Sequence, residues 1–364
     1  MKKILFFAAA MLCVTAANAK VWRINYEDNA NADFKTIAAA CSAVKVADTD
    51  TLYCEAGYYP EGNTISRAGI TVMGPGWGFA PNYGDASTIA EARFTSDISI
   101  SADNVKLSGI VCDRTIGFGD GGRSNCTIEK CKANRIYYFP GYRTATCSNI
   151  TIKNCYFTDD ITLSHPSSYN TRFDNINIIG NIILSTSYNL INIDDADDHI
   201  SDVYILNNTL IGKTSSYSII STKNSVIQDN IIINTENETY VMNFAQVGNI
   251  IRKNVFSLSA DNVTAAISEK YPDNYYVAAT VANTFVNKTS AAYYDVAMKY
   301  QLLETTPAKG GAYDGGDCGA FGGTTPYVLN GRPQGIPYIY DVEVPAQPKE
   351  NKLHVTFKVK GQNE

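Results

Sequence analysis

From Asn104 to Ser257 the chain repeats one hydropathy phrase: an apolar residue, two mostly polar residues, an Asn or Cys, then a further apolar run. The copies read TIEKCKA, TIKNCYF, NIIGNIIL, YILNNTLI, VIQDNIII and IIRKNVFS, anchored at Cys131, Cys155, Asn181, Asn208, Asn230 and Asn254. Their spacings are 24, 26, 27, 22 and 24 residues, and an earlier copy, NVKLSGIV, puts Ile110 in the anchor slot. A period of roughly 20 to 50 residues marks stacked supersecondary units. Each copy is rich in β-branched residues and has no helical periodicity, so it predicts short strands. A repeat of this length suits one coil of a parallel β-helix, with neighbouring coils about 4.8 Å apart and like residues stacked. Asn at the anchor is expected to take left-handed geometry at a bend and to form an amide ladder with the Asn above and below. The leucine-rich horseshoe would need LxxLxLxxN in each repeat, and that phrase is absent.

A second strand follows each anchor: DITLSHP, YNLINIDD, YSIISTK and YVMNFAQ. We align Ile161, Leu190, Ile219 and Val241 as stacked inward positions. The fold class predicted is therefore all-β, a single-stranded right-handed parallel β-helix closed by an N-terminal helix cap and a C-terminal β-hairpin tail. For the cap, Asp33 is placed ahead of a helix whose apolar face is Phe34, Ile37, Ala38, Cys41 and Val44. VANTFVN reads as the last coil, and IYDVEV and KLHVTFKVK alternate as a half-buried hairpin.

Composition adds a compartment. The chain starts MKKILFFAAAMLCVTAANA, with a basic start, an apolar run and a small-residue site at Ala17-Asn18-Ala19, which predicts a signal peptide over residues 1–19. A secreted, periplasmic or cell-surface protein is expected, without a membrane span. The organisation read is a cap over 20–60, the β-helix over 61–331 and the tail over 332–364. The expected mature chain carries 28 basic and 36 acidic residues, a net charge of −8 with no basic cluster, which argues against nucleic acid. A monomer is expected. Eight mature cysteines (Cys41, Cys54, Cys112, Cys126, Cys131, Cys147, Cys155 and Cys318) lack zinc-site spacing. They are read as buried thiols, with a Cys131–Cys155 disulfide as the alternative.

The phrase DFKTIAAACSAVKVADTDTLYCEAGYY resembles the opening segment of right-handed parallel β-helix proteins of the pectate-lyase-like superfamily, with an F-x-TI-x-x-A helix and a strand ending in G-x-Y. The Gly-rich run LLETTPAKGGAYDGGDCGAFGGTTPYVLNG resembles the closing segment of secreted β-helix proteins of Gram-negative gut anaerobes. The resemblance covers most of the chain and implies the fold, with carbohydrate as the habitual partner. It implies no particular activity, because one fold hosts many functions. The pectin hydrolases of this superfamily carry an N-T-D triplet, a DD pair, a G-H-G and an R-I-K; this chain has DD pairs but no G-H-G and no R-I-K, and it lacks the W-x-D-H and R-x-P-x-x-R phrases of pectate lyases.

Candidate chemistry concentrates in one turn. Asp194, Asp195, Asp197, Asp198 and Asp202 fall within nine residues, with His199 among them. Such a cluster suits a hard cation, and calcium is the one expected at Asp194, Asp195, Asp197 and Asp198. Paired carboxylates also suit acid–base work on a sugar bond, and a solvated acidic turn is the plain alternative. His165, Asp194 and Lys223 each lie four residues after the stacked Ile161, Leu190 and Ile219. With Asp195 they form the candidate catalytic set, Lys223 being the base a polysaccharide lyase would need, and Asp159 and Asp160 open the neighbouring strand. Tyr137, Tyr138, Tyr142, Tyr169, Tyr188, Tyr217 and Tyr240 offer flat faces for sugar stacking. Two functions follow: an exported protein binding a polysaccharide or cell-surface glycan without catalysis, or a polysaccharide lyase or glycoside hydrolase acting on an acidic polysaccharide.

Overall fold

The computed structural model describes residues 19–28, 30–78, 91–119, 121–139, 144–164, 170–186, 189–194, 200–286, 296–331, 338–343, 352 and 355–360. Residues 1–18, which carry the expected leader, lie outside that set. The chain winds as a parallel β-helix with three faces. Among the described residues the first face stacks ten parallel strands: Val21–Ile24, Thr51–Cys54, Thr71–Met73, Lys106–Ser108, Thr127–Glu129, Thr144–Lys153, Asn170–Ile179, Ile200–Leu206, Ser225–Gln228 and Ile250–Arg252. The second and third faces form one sheet, of 15 strands among the described residues, because Val111–Phe118 and Lys132–Tyr138 run across both. From Tyr156 onward each coil divides. Ile182–Ser185, Thr209–Gly212 and Ile231–Asn234 build the second face, and Ile161–Ser164, Ile191–Asp194 and Ile220–Thr222 the third.

The period-two alternation decides what points inward. On the first face Ile152, Ile178 and Ile205 are fully buried, while Thr151, Asn177 and Tyr204 point outward in register. Each buried Ile contributes on the order of 1.5–3 kcal/mol through apolar area removed from water.

The anchors stack as the spacing predicts. Asn181, Asn208, Asn230 and Asn254 each donate from Nδ2 to the Oδ1 of the next anchor at 2.9–3.0 Å, and Asn274 extends the ladder by one coil. Each Oδ1 also accepts the backbone N–H of the anchor below, as in Asn181 N to Asn208 Oδ1 at 2.9 Å. Cys131 and Cys155 continue this ladder as buried free thiols, with Cys131 N donating to Cys155 Sγ at 3.4 Å. All eight described cysteines are free and buried. Burial pushes the Cys112 and Cys147 thiols up to about 12, so they are inert as nucleophiles.

Left-handed geometry falls one position earlier than expected. The residues before the anchors, Gly109, Lys130, Asn154, Gly180, Asn207, Asp229 and Lys253, have φ of 52–66°. The anchor needs ordinary geometry to aim its amide inward, so the preceding residue turns the corner. A second left-handed column, Asn104, Asn125, Asn149 and Asn175, marks the corner ahead of the first face. There the amides form a second, exposed ladder, with Asn149 Nδ2 to Asn125 Oδ1 at 2.8 Å.

The apolar runs after the anchors are buried on both sides. Ile183, Leu210 and Ile232 face the interior, whereas Tyr156, Ile182, Ile231 and Val255 belong to a second cluster outside the second face. Ala308, Ala312, Cys318, Ala320 and Tyr327 of the Gly-rich segment cover that stripe. The segment runs back down the coils as a strap. Cys318 Sγ donates to Lys253 O, Gly319 N to Asp229 O at 2.7 Å and Ala320 N to Thr209 Oγ1 at 3.0 Å. Tyr327 then reaches the ring of Trp77, whose Nε1 donates to Lys130 O at 3.0 Å. Sheets buried on both faces read as continuous apolar runs rather than alternation, which accounts for NIIL and NIII.

Several sequence expectations are corrected. The cap helix is Ile37–Ser42, and Thr36 rather than Asp33 caps it, accepting Ala39 N at 3.1 Å. Asp33 instead accepts Arg23 N, and Val44 is fully exposed beyond the helix end. Ile161 pairs with Ile191, not Leu190, because the loop into that coil is one residue out of step with the alignment. Ile191 pairs with Ile220 and Ile220 with Met242, while Leu190, Ile219 and Val241 are buried one position earlier. VANTFVN holds a short helix, Val281–Thr284, and the last coil strand is Tyr275–Tyr276. The Thr280 hydroxyl and Asn283 amide form a reciprocal cap that draws this segment into a helix. The tail forms the expected hairpin, Tyr338–Glu343 with Thr356–Lys360. No helix among the described residues is long and apolar enough to cross a membrane.

Candidate functional site

The sequence-predicted site maps to the third face. His165, Asp195, Asp197 and Asp198 lie outside the described residues, as do Tyr142, Tyr169 and Tyr188. The backbone of Asp194 ends the strand Ile191–Asp194 and pairs with Ser164. The register Ile193 to Thr222 then places Lys223 on the coil above Asp194. Lys223 is 8% exposed, not a solvated surface lysine.

The neighbouring Asp159 and Asp160 are committed to structure. Arg135 grips Asp160 with two bonds, Nε to Oδ1 at 3.1 Å and Nη2 to Oδ2 at 2.6 Å. Burial raises the Asp160 pKa by more than this guanidinium lowers it. Asp159 accepts the Ser185 hydroxyl at 3.1 Å. The tyrosines divide: Tyr138 is buried in the core, Tyr217 is exposed, and Tyr137 is half-buried outside the third face. Tyr137 meets Phe139 edge-on at 5.3 Å and lies 5.2 Å from the Arg135 guanidinium. Outward from Tyr137 the column continues through Thr162, Asn192 and Ser221, a row of small hydrogen-bonding side chains.

A concave site lies elsewhere, on the first face. A trough of about 380 Å³ runs across three coils beside the strap, lined by Lys153, Asn177, Ile179, Leu206, Asn207 and Thr325 among others. The pairings of Lys153 with Ile179 and of Ile179 with Leu206 put an ammonium at one end of an apolar floor. The backbone of Gly322–Thr325 forms the far wall. Strand alternation marks Lys153, Ile179 and Leu206 as outward. Only the returning strap makes a trough of them, and nothing in the repeats announces it.

Below the trough, Glu129 is held by two lysines. Lys106 Nζ lies 2.8 Å from Oε1 and Lys153 Nζ 3.3 Å from Oε2, while the Ser108 hydroxyl donates at 3.3 Å. Burial opposes ionisation of Glu129, but the lysine hydrogen bonds and charges outweigh it and hold its pKa below the usual value. A depressed carboxylate stabilises the fold above its unfolded pKa, about 4.3, and loses that contribution as pH falls through its folded value. Glu129→Gln is therefore expected to flatten the acid limb of a stability-against-pH curve measured by urea unfolding. An unchanged limb would place the acid sensitivity elsewhere. On the same coil Lys130 is 6% exposed, and burial lowers its pKa despite the nearby Glu129.

Among the described residues no group of three His, Cys, Asp or Glu side chains is arranged to hold a metal ion. The carboxylates of the calcium expectation fall outside those residues, so it rests on sequence alone. No protein-family model matches the chain, and no curated protein or solved structure matches it either.

Proposed function

We propose that this is an exported β-helix protein, akin to the pectate-lyase-like superfamily of Gram-negative gut anaerobes, that binds a polysaccharide or cell-surface glycan without transforming it. The observation that carries this reading is the trough on the first face. Its apolar floor of Ile179 and Leu206 suits the C–H face of a sugar ring. Asn177 and Asn207 can exchange hydrogen bonds with ring hydroxyls, and Lys153 sits where an acidic substituent would find a charge. Three coils at about 4.8 Å give a site roughly two sugar residues long. Against catalysis, Glu129 beside the trough is committed to Lys106 and Lys153, and the trio leaves a net positive charge.

The test is a polysaccharide panel with two readouts, binding and the appearance of unsaturated or reducing products. Binding of acidic glycans without products is expected, and Lys153→Ala is expected to weaken it about tenfold, or ~1.4 kcal/mol. The second reading, a lyase or hydrolase acting on an acidic polysaccharide, draws on Lys223 standing one coil above Asp194. Products that vanish in Lys223→Ala while Lys153→Ala still yields them would favour it over the trough.

A further inference from the structure

Ala19 and Lys20 are both exposed, at the point where the chain enters the strand Val21–Ile24. Lys20 is nonetheless held by both of its backbone groups. Its carbonyl accepts Thr51 N at 2.8 Å, and its N–H donates to Asp50 Oδ1 at 2.8 Å. Asp50 is 2% exposed. Its second oxygen, Oδ2, accepts Trp22 Nε1 at 2.7 Å and Ala47 N at 2.8 Å. All three donors are neutral N–H groups gathered on one buried carboxylate. Buried charges are ordinarily met by an opposite charge. The Lys20 nitrogen becomes one when the chain is cut in front of it.

We propose that hydrolysis of the Ala19–Lys20 bond turns this nitrogen into an ammonium that pairs with Asp50, so that the cut itself fastens the first coil. Water adds its hydroxyl to the Ala19 carbonyl carbon and a proton to the Lys20 nitrogen as the bond between them breaks. The proton of the new carboxyl then passes to the amine, leaving a carboxylate and an ammonium. The segment released is the expected leader, residues 1–19. An ammonium has three donors where the amide has one. One keeps the bond to Asp50, and the exposure of Lys20 leaves the others to water, so none is buried without a partner. The charge-assisted bond is about twice as strong as the neutral one it replaces. The inference rests on the exported reading for the removal of residues 1–19, and on geometry alone for the pair.

The experiment compares three forms that all run to Glu364: the uncut chain, a chain starting at Ala19 and a chain starting at Lys20, the last two released from a cleavable fusion partner. The first described strand begins at Val21, so each form keeps every described element. The readout is hydrogen-exchange protection of amides 21–24 and 51–54. At about pH 6.5 the form starting at Lys20 is expected to be protected about tenfold more than the other two, the equivalent of an ammonium raised one unit above its free value of about 8. A group with a raised folded value gives its full stabilisation below the free value and loses it as pH rises through the folded one, so the gap is expected to close by about pH 10. The other charges at this end, the Lys20 and Lys45 ammoniums 3.4 and 4.8 Å from the Trp22 ring centroid, are common to all three forms and cancel in the comparison. Asp50→Asn keeps an acceptor but removes the charge, and in it the gap is expected to vanish. If that variant opens the first coil altogether, closure of the gap with pH in the unsubstituted chain still decides. Equal protection in the three forms, a gap that persists at about pH 10, or a gap that survives in Asp50→Asn would overturn the pair. N-terminal sequencing of protein recovered outside the cells is expected to start at Lys20, and a start elsewhere would overturn the cut. A chain found only inside the cells with residues 1–19 intact would overturn the exported reading and the cut with it, while the exchange comparison still decides the pair.

Discussion

Asn208→Ala is expected to destabilise the protein by about 3 kcal/mol in chemical unfolding, because the buried Asn181 N–H loses its partner, at about 1–3 kcal/mol, and the Ile178 and Leu206 carbonyls each lose a donor, Leu206 O keeping Gly180 N. Asn208 Nδ2 donates to Ile178 O at 2.8 Å and Leu206 O at 3.0 Å, and its Oδ1 accepts Asn181 N at 2.9 Å. Alanine answers none of the three, and the site is fully buried. The rungs above and below also break, since Asn208 bonds both Asn181 and Asn230. Asn208→Cys provides the control. At Cys131 and Cys155 a thiol already does this work, each Sγ donating to the carbonyl two residues earlier at 3.2 Å. The Cys variant is therefore expected to cost roughly half as much, sulfur being a weak but real partner. Equal losses in the two variants would mean that side-chain volume, not the amide, holds the coils together.

The second large effect is expected from Arg135→Met. Removing the guanidinium leaves Asp160, 2% exposed, as an uncompensated buried carboxylate. Breaking a buried pair this way costs on the order of 3–5 kcal/mol, and the lower end is expected because Arg135 is itself about a third exposed. The pH dependence distinguishes this cause from lost packing. Burial already raises the Asp160 pKa, and losing Arg135 raises it further. The folded variant would then bind a proton more tightly than the unfolded chain, whose Asp titrates near about 3.9. Its deficit should be greatest at neutral pH and shrink as the pH falls towards that value. A deficit constant from pH 7 to pH 4 would point to the lost stacking of Arg135 on Tyr137.

The repeat block was legible because stacking makes one position in each coil answer the same physical demand. Six anchors at near-constant spacing are enough to declare a ladder. What was misplaced lies where a single residue of slip matters. The alignment matched Ile161 to Leu190, and both are buried, so burial could not expose the error; only pairing distinguishes Leu190 from Ile191. Asn favours left-handed geometry, so residue type points to the anchor as the corner. Lys130 and Lys253 occupy the true corner, and their residue type carries no such signal. The trough was invisible for a different reason. It joins Lys153 to Thr325, and no local pattern reports which coil a Gly-rich segment will lie against. The acidic turn stands out by composition, and the carboxylates of Asp194, Asp195, Asp197 and Asp198 fall outside the described residues.

The strap changes how the molecule should come apart. A solenoid in which each coil meets only its neighbours unzips from its ends, one coil at a time. Here the strap bonds Tyr313 N to Asp229, 84 residues earlier, and Ala320 N to Thr209, 111 residues earlier, before Tyr327 closes on Trp77. The late coils are thereby laced to the early ones. Peeling the last coils under force requires the strap to release first, so a pulling experiment on the C-terminal end should meet one high barrier followed by easy unzipping. Folding pays the reverse toll in time: the lacing spans most of the chain, and contacts of such sequence separation form late and slowly.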